Sequence, residues 1–462
     1  MLIARYTDAQ VVGLALVVLA LIIFVSWLVR RRVAVLQRLY IPTAVIGGFA
    51  MLILGPQVLG ALTSSRGLFP VEIIDVWRTL PGLLINVVFG AIMIGKRLPK
   101  VGALWDLSAP HFILGSTFSF GQFALGGFAV ALLLTPVFGL SPAAGGLLEM
   151  SFAGGHGTIA GMGEILVNVG APEVVDIGLG LATISMVTGI VAGTMIVSWG
   201  MRSPKVQVLR QTPFAESEGT DLTSPHIAPV DEPDDEAVGV NATTAAFMYI
   251  SVAIALAIVL LEALRWVANA FGSDVFDHFP LFPFTVIGGF VVQALLTRFK
   301  LEHTANKKAV DGISGFALDM LIVAAIGTMS LATIGSNIPA VVVFTVLGVG
   351  WSVFGMLVLG PRIHRRNWFE HSLADFGQSQ GNVATGFVLA DMADPKRQSA
   401  SATAYGYKQL TYEPILGGGL LTALSVPIIM AVGSLPFAIA SSVITLALIT
   451  WGVRRRPRSA AA

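Results

Sequence analysis

The stretch SFAGGHGTIAGMGE, Ser151–Glu164, lies between long apolar runs, and more than a third of it is glycine. A continuous membrane helix is not built this way, because each interior glycine costs roughly 0.5–1 kcal/mol relative to alanine. Unwound backbone at membrane depth is tolerated only where protein or a water-filled cavity satisfies its polar groups. Two half-helices that meet at a glycine-rich tip meet that condition. The stretch therefore reads as the tip of a re-entrant hairpin over about 141–171.

The rest of the chain supports a membrane setting. Its 462 residues are 55% hydrophobic, with mean hydropathy +0.80 and only 12% charged residues. Soluble domains carry about 25% charged residues. Apolar runs near the ~20 residues that a bilayer core requires recur from end to end. The formal net charge is +1, which gives no reason to expect a nucleic-acid partner. The absence of cysteine removes disulfides, thiolate nucleophiles and cysteine metal sites. The first run, Val11–Val29, is followed by Arg30, Arg31 and Arg32 and not by a small-residue cleavage site, so it reads as a retained span.

The fold expected is an all-α polytopic membrane protein of about eleven transmembrane helices. The spans fall at Val11–Val29, Ile41–Leu59, Leu80–Gly95, Phe112–Phe138, Val175–Trp199, Ala245–Trp266, Leu281–Leu296, Ile313–Ser330, Ala340–Leu359, Pro414–Val432 and Pro436–Trp451. A second broken stretch, Trp368–Asp394, reads as another re-entrant hairpin. With the N-terminus outside and both hairpins returning to the side they left, 24 of the 28 basic residues fall inside. Only Arg5, Arg66, Arg78 and Arg265 remain outside, in keeping with the positive-inside rule. The C-terminus, with Arg454–Arg458, is then cytoplasmic.

Two further patterns organise the chain. The second span opens IPTAVIGGF (Ile41–Phe49) and the seventh FPFTVIGGF (Phe282–Phe290), an offset of 241 residues. Each is followed by a similar order of spans with a broken stretch before the last, and five spans separate the copies. That is an inverted repeat, the signature of many secondary transporters. The expected division is a first five-span repeat over 1–202, a flexible cytoplasmic linker over 203–243, a second inverted repeat over 244–433, and an extra span with a basic tail over 434–462. The linker is rich in Pro, Ser, Asp and Glu, with an acidic run at Asp231, Glu232, Asp234, Asp235 and Glu236.

The second tip, Gly377–Gly386 (GQSQGNVATG), matches the first in kind: Gly157-Thr158-Ile159-Ala160 corresponds to Gly381-Asn382-Val383-Ala384. In each hairpin the second half-helix aims its N-terminus at the tip, with unpaired N–H groups and partial positive charge. The first half-helix ends there and offers carbonyls, so a tip can hold an anion on one side and a cation on the other. Intramembrane charge is costly and usually functional. Glu149 and Glu164 flank the first tip, Asp375 and Asp391 the second, and Asp319 lies within a span. Asn86 and Gln122 are uncharged polar residues within spans. Glu164, Asp391, Lys408 and Glu413 read as interfacial, where solvation explains them.

At these residues the chain resembles the sodium/glutamate symporter family. The resemblance lies in IPTAVIGGF, the SFAGGHGT tip, GNVATGFVLADM with the Ala-Asp-Pro after it, and two halves joined by a cytoplasmic loop. It implies an inverted-repeat carrier in the cell (inner) membrane that couples Na+ entry to L-glutamate uptake, works as a homodimer, and moves a transport domain against a scaffold. It implies substrate contacts at Gly154, Gly155, His156, Gly157, Thr158, Gly381, Asn382, Val383 and Thr385. Sodium, a hard cation, would take oxygens from Ser151, Ser379, Thr385 and Asp319. No cofactor beyond the coupling ion is implied.

The alternatives are a carrier for another organic anion, a cation/proton exchanger using Asp319, a passive channel, and an intramembrane hydrolase. The last rests on Gly377-Gln378-Ser379-Gln380-Gly381, which matches G-x-S-x-G. That elbow needs a strand-to-helix turn and a histidine base. Only His156 lies at a tip, while His111, His226, His278, His303, His364 and His371 read as loop or interface residues. No HExxH or GxxxxGK[ST] motif occurs.

Overall fold

A computed structural model of the chain describes residues 6–38, 41–96, 101–204, 206, 240–272, 276, 279–395 and 398–455. Most of the linker expected over 203–243, with its acidic run and His226, lies outside the described residues. So do His278 and the basic residues Arg5, Arg97, Lys100, Lys205, Arg210, Lys396, Arg397, Arg456 and Arg458.

The described residues are helical, with no strand among them. Among the described residues nine helices are long and apolar enough to cross a bilayer: Asp8–Arg32, Thr43–Thr63, Val71–Ala91, Ser108–Phe138, Glu173–Arg202, Ala242–Ala270, Lys307–Thr328, Ile338–Ile363 and Ser434–Arg454. The chain is an all-α, multi-pass membrane protein. The two remaining spans expected from sequence fall on shorter helices, Phe282–Arg298 and Leu420–Val432. The second begins six residues later than expected because Gly417 and Gly418 take positive φ (63° and 104°) and turn the chain before it. The third span begins at Val71 rather than Leu80, with Pro81 accommodated inside the helix.

Local chemistry sets several helix ends. Asp8–Arg32 starts on a capping box in which Thr7 Oγ1 accepts from the Gln10 amide and Gln10 Oε1 accepts from the Thr7 amide. It ends on Arg30, Arg31 and Arg32, which complement the negative end of the helix dipole. Along the helix Val17, Leu21, Phe24 and Val25 are exposed, as lipid-facing residues are.

By contacts the chain forms two compact units, and each draws on both halves of the sequence. One comprises Met1–Gly95, His156–Gly180 and Pro233–Ile338; the other comprises Lys96–Gly155, Leu181–Glu232 and Pro339–Ala462.

The first unit holds both VIGGF motifs, and their glycines pack in a reciprocal way. A Cβ on Gly47 would lie 3.3–3.4 Å from Ser26 and Ile22 of the preceding span and 3.2 Å from Val323 of Lys307–Thr328, and one on Gly48 would lie 2.6 Å from Ile326 of that same helix. In the second copy, a Cβ on Gly288 would meet Ala253 of the preceding span Ala242–Ala270, its backbone carbon at 2.9 Å. One on Gly289 would meet the Gly90 carbonyl of Val71–Ala91 at 2.5 Å. In both copies the first glycine seats against the span before it. The second seats against the span that follows the other copy. Lipid gives helices no hydrophobic reason to associate, so close approach through small residues carries the packing.

The second unit holds the second hairpin and the whole entry arm of the first, Pro142–Gly146 and Leu147–Phe152. Two of its long helices, Ser108–Phe138 and Ile338–Ile363, each carry a π-helical turn, Val130–Leu134 and Gly355–Leu359. Such turns interrupt the regular ladder and often mark functional regions. Trp351 Nε1 donates to the Phe118 carbonyl at 3.0 Å and ties the two helices together.

Candidate functional site

The second broken stretch lies within the second unit and forms two helices. Helices Trp368–Ser379 and Val383–Ala393 are joined by Gln380, Gly381 and Asn382. They pack tightly, since a Cβ on Gly377 would stand 2.8 Å from the Gly386 Cα. Asn382 caps the second helix: its Oδ1 accepts from the Thr385 amide at 3.0 Å and from Thr385 Oγ1 at 3.3 Å. Asn382 and Val383 are half-buried and Ala384 is exposed, while Thr385 is buried. The helix start is thus open on one side.

Neighbouring helices hold the turn itself. Gln122 Nε2 donates to the Ser379 carbonyl at 2.8 Å, and Ser185 Oγ donates to the Gln380 carbonyl at 2.5 Å. Gln380 Nε2 donates in turn to the Gly348 carbonyl at 3.2 Å. Ser379 Oγ donates to the Phe376 carbonyl at 2.8 Å, at the C-terminus of a helix. Ser379 therefore does not occupy the strand-to-helix turn that a nucleophile elbow needs.

The first hairpin is more broken. It consists of a 3-10 segment, Pro142–Gly146, then helices Leu147–Phe152, Gly155–Gly161 and Gly163–Asn168. Its tip is Ala153-Gly154, followed by Gly155 at φ +74°, a backbone state that favours glycine. The two tips meet here, because a Cβ on Gly155 would lie 2.8 Å from the Gly381 carbonyl oxygen. Gly155 and Gly381 belong to one unit, and so do Gly154, Ser151, Ser379, Asn382, Val383 and Thr385. His156, Gly157, Thr158 and Asp319 belong to the other. There His156 and Thr158 are buried, and a Cβ on Gly157 would stand 3.0 Å from Leu318. Asp319, next along that helix, is exposed. The boundary between the units thus falls inside the first tip.

Several oxygens around the tips have the character a hard cation seeks. Ser151 Oγ, Glu149 Oε2 and Gln122 Oε1 are buried without a hydrogen-bond partner. Glu149 is otherwise anchored: its Oε1 accepts from the Gly417 amide at 2.9 Å and from Thr422 Oγ1 at 3.1 Å. The positive φ of Gly417 is what turns its amide toward this carboxylate.

Below the second tip lies a polar network that sequence reasoning largely missed. Asp375 is fully buried and accepts from Lys408 Nζ (3.0 Å), His111 Nδ1 (2.8 Å) and His364 Nε2 (3.2 Å). Lys408 Nζ also donates to Gln378 Oε1 at 2.7 Å and stands 4.1 Å from the Tyr412 ring centroid. Gly115 leaves room for it, since a Cβ there would lie 2.6 Å from Lys408 Cε. Lys408 is therefore not the solvated interfacial residue expected. His111, buried, and His371, half-buried, stand on helices and are not loop or interface residues either, whereas His364 does fall in the connection between Ile363 and Trp368 but is buried there. A signal was available, because His371 and Asp375 stand four residues apart on one face of a helix. The three histidines bring nitrogens within 4.8 Å of one another, a set that could hold a transition metal. However, His111 Nε2 and His371 Nδ1 are 2.8 Å apart. Two imidazoles at ~2.1 Å from a tetrahedral ion would keep about 3.4 Å between nitrogens. The observed spacing is that of a hydrogen bond.

The family model described as sodium/glutamate symporter matches residues 10–366. The chain belongs to the sodium/glutamate symporter family. The matched stretch contains the whole first hairpin and ends just before the second. No curated protein matches the chain. For a member of this symporter family the relevant chemistry is recognition of a carboxylate and a hard cation. The open helix start at Asn382–Val383 and the unpartnered oxygens near the tips are groups of those two kinds.

Proposed function

We propose that this chain is a sodium-coupled symporter that imports L-glutamate, or a similar small carboxylate, by elevator-like alternating access. Membership of the sodium/glutamate symporter family over residues 10–366 carries the reading. The contact between glycine-rich tips at Gly155 and Gly381 supports it, because backbone can approach a ligand there without Cβ hindrance.

In this reading a substrate carboxylate meets the half-helix N-terminus around Asn382-Val383, with Gly154, Gly155, Gly381 and Thr385 of the same unit around it; His156, Gly157 and Thr158 are the substrate contacts proposed on the other unit. The eleven-residue helix Val383–Ala393 contributes more than the seven-residue Gly155–Gly161, since aligned peptide dipoles sum along a helix. Sodium takes oxygens of Ser151, Ser379 and Thr385, and Asp319 is the sodium ligand proposed on the other unit. Coupling follows if sodium completes the tip geometry that the anion needs. The division into two compact units, with each drawing segments from both halves, is what an elevator-like carrier requires. The reciprocal packing of the VIGGF glycines supports an inverted repeat. The carrier works as a homodimer in the cell (inner) membrane, N-terminus outside and C-terminus cytoplasmic.

Binding of labelled L-glutamate to the purified protein tests the site directly. Saturable binding in sodium but not in potassium is expected, weakened in His156→Ala with the melting temperature kept. Binding that ignores sodium would count against the coupling. Unchanged affinity in His156→Ala would remove that side chain from the site.

A further inference from the structure

The hydrogen bonds around His111 and His371 require a proton that two neutral imidazoles do not have. His111 Nδ1 faces Asp375 Oδ2 at 2.8 Å, and His371 Nε2 faces the Ser399 carbonyl at 3.1 Å. Both facing atoms are acceptors, so both nitrogens must donate. Between the rings, His111 Nε2 and His371 Nδ1 are 2.8 Å apart, which also needs one proton. Three donations call for three N–H groups, and two neutral rings carry one each. With only two, one of the three contacts sets lone pair against lone pair inside the protein.

We propose that His111 and His371 form a buried proton-binding site, holding a shared proton between Nε2 and Nδ1, and that this proton fixes the first helix of the second hairpin. The ligand is a proton, and the site stands apart from the transport reading.

Burial alone opposes a charged imidazole, so the surrounding charges matter. Asp375 is paired with Lys408 on one oxygen and receives His111 and His364 on the other. On the far side, Asp394 accepts from the Ser399 amide at 2.6 Å and from Ser399 Oγ at 2.5 Å, and Ser399 in turn accepts from His371. A continuous chain therefore runs Asp375, His111, His371, Ser399, Asp394. Two carboxylates, one ammonium and one shared proton make this network neutral, and without the proton it carries a net negative charge in a buried site. His364 is satisfied as a neutral donor to Asp375, with its ring 4.6 Å from that of His111. Of the other ionisable groups on the elements packed here, Glu370 is buried and paired within the fold, and Asp391 and Glu413 are half-buried. Tyr405 presents its ring 6.1 Å from His111, and Tyr412 donates to or accepts from Ser119. Arg362, Arg365, Arg366 and Arg454 are exposed. His371 is the half-buried member and so gives the proton its path to solvent.

The site is attached to the hairpin through two of its own residues, His371 and Asp375, both on Trp368–Ser379. Loss of the proton sets His111 against His371, so the helix carrying the tip loses an anchor.

The test is nitrogen NMR of the full-length protein, labelled with 15N-histidine and held in lipid bilayers at pH 8. That is about 1.5 units above the ordinary histidine value of ~6.5, where exposed rings are neutral. One imidazole protonated on both nitrogens is expected, with a coupling across a nitrogen–nitrogen hydrogen bond. That signal is expected to be lost in His111→Gln and in His371→Gln, and kept in the exposed control His303→Gln. Seven neutral rings in the wild type at pH 8 would overturn the proposal, with no need of a variant that folds. Retention of one zinc ion per chain through these rings would overturn it as well.

Discussion

Asp375 accepts from three side chains and has no exposed surface, so it is the residue at which a single change is expected to cost most. Asp375→Asn leaves Lys408 buried without its counter-charge, which typically costs about 3–5 kcal/mol. A clear fall in melting temperature in detergent is the expected result. The paired change Asp375→Leu with Lys408→Met is expected to melt above Asp375→Asn, because it leaves no lone buried charge. Asn382→Ala removes a helix cap worth about 1 kcal/mol, and Asn382→Asp is expected to restore it. A melting temperature unmoved by Asn382→Ala would show that the cap is not made. At this scale the sequence was half legible. The glycines and polar residues of the tips stood out because they break apolar runs. The network around Asp375 did not, because its members come together from positions as far apart as 111 and 375. Sequence spacing shows neighbours on a helix and not partners across 264 residues.

At the scale of elements, the two helices of the second broken stretch were legible nearly to their ends. Trp368–Asp394 was expected, and helices Trp368–Ser379 and Val383–Ala393 are found. Its glycines fall at the turn and at the Gly377–Gly386 contact. The first hairpin was legible in place but not in detail, because glycines at 155, 161 and 163 divide its exit arm into short helices. Two substitutions test these elements. Gly155→Ala forces an alanine to φ +74° and sets its Cβ 2.8 Å from the Gly381 carbonyl. The left-handed region alone costs roughly 1–2 kcal/mol. Loss of sodium-dependent glutamate binding from protein that still elutes as a folded species is expected. Full binding would show that the tips do not need this approach. Gly289→Val drives a side chain into the Gly90 carbonyl and is expected to lower the yield of folded protein sharply. The matching change at the open position Gly312, where a Cβ would meet nothing within 4 Å, is expected to leave the yield intact.

For the whole molecule, composition and span length were enough to give the class, since a bilayer admits few alternatives to helices. The grouping of those helices was not legible. The sequence divides naturally at its polar linker, whereas each compact unit takes segments from both sides of it. Contacts such as Gly48 with Ile326 and Gly289 with Gly90 cross between the halves, and nothing in either half announces them. The measurement that bears most directly on the function is uptake of labelled L-glutamate into liposomes containing the full-length protein. An inward sodium gradient is compared with an equal potassium gradient. Saturable uptake driven by sodium and absent with potassium is the expected result. Folded, reconstituted protein that takes up no glutamate, or takes it up equally in potassium, would contradict a sodium-coupled glutamate symporter.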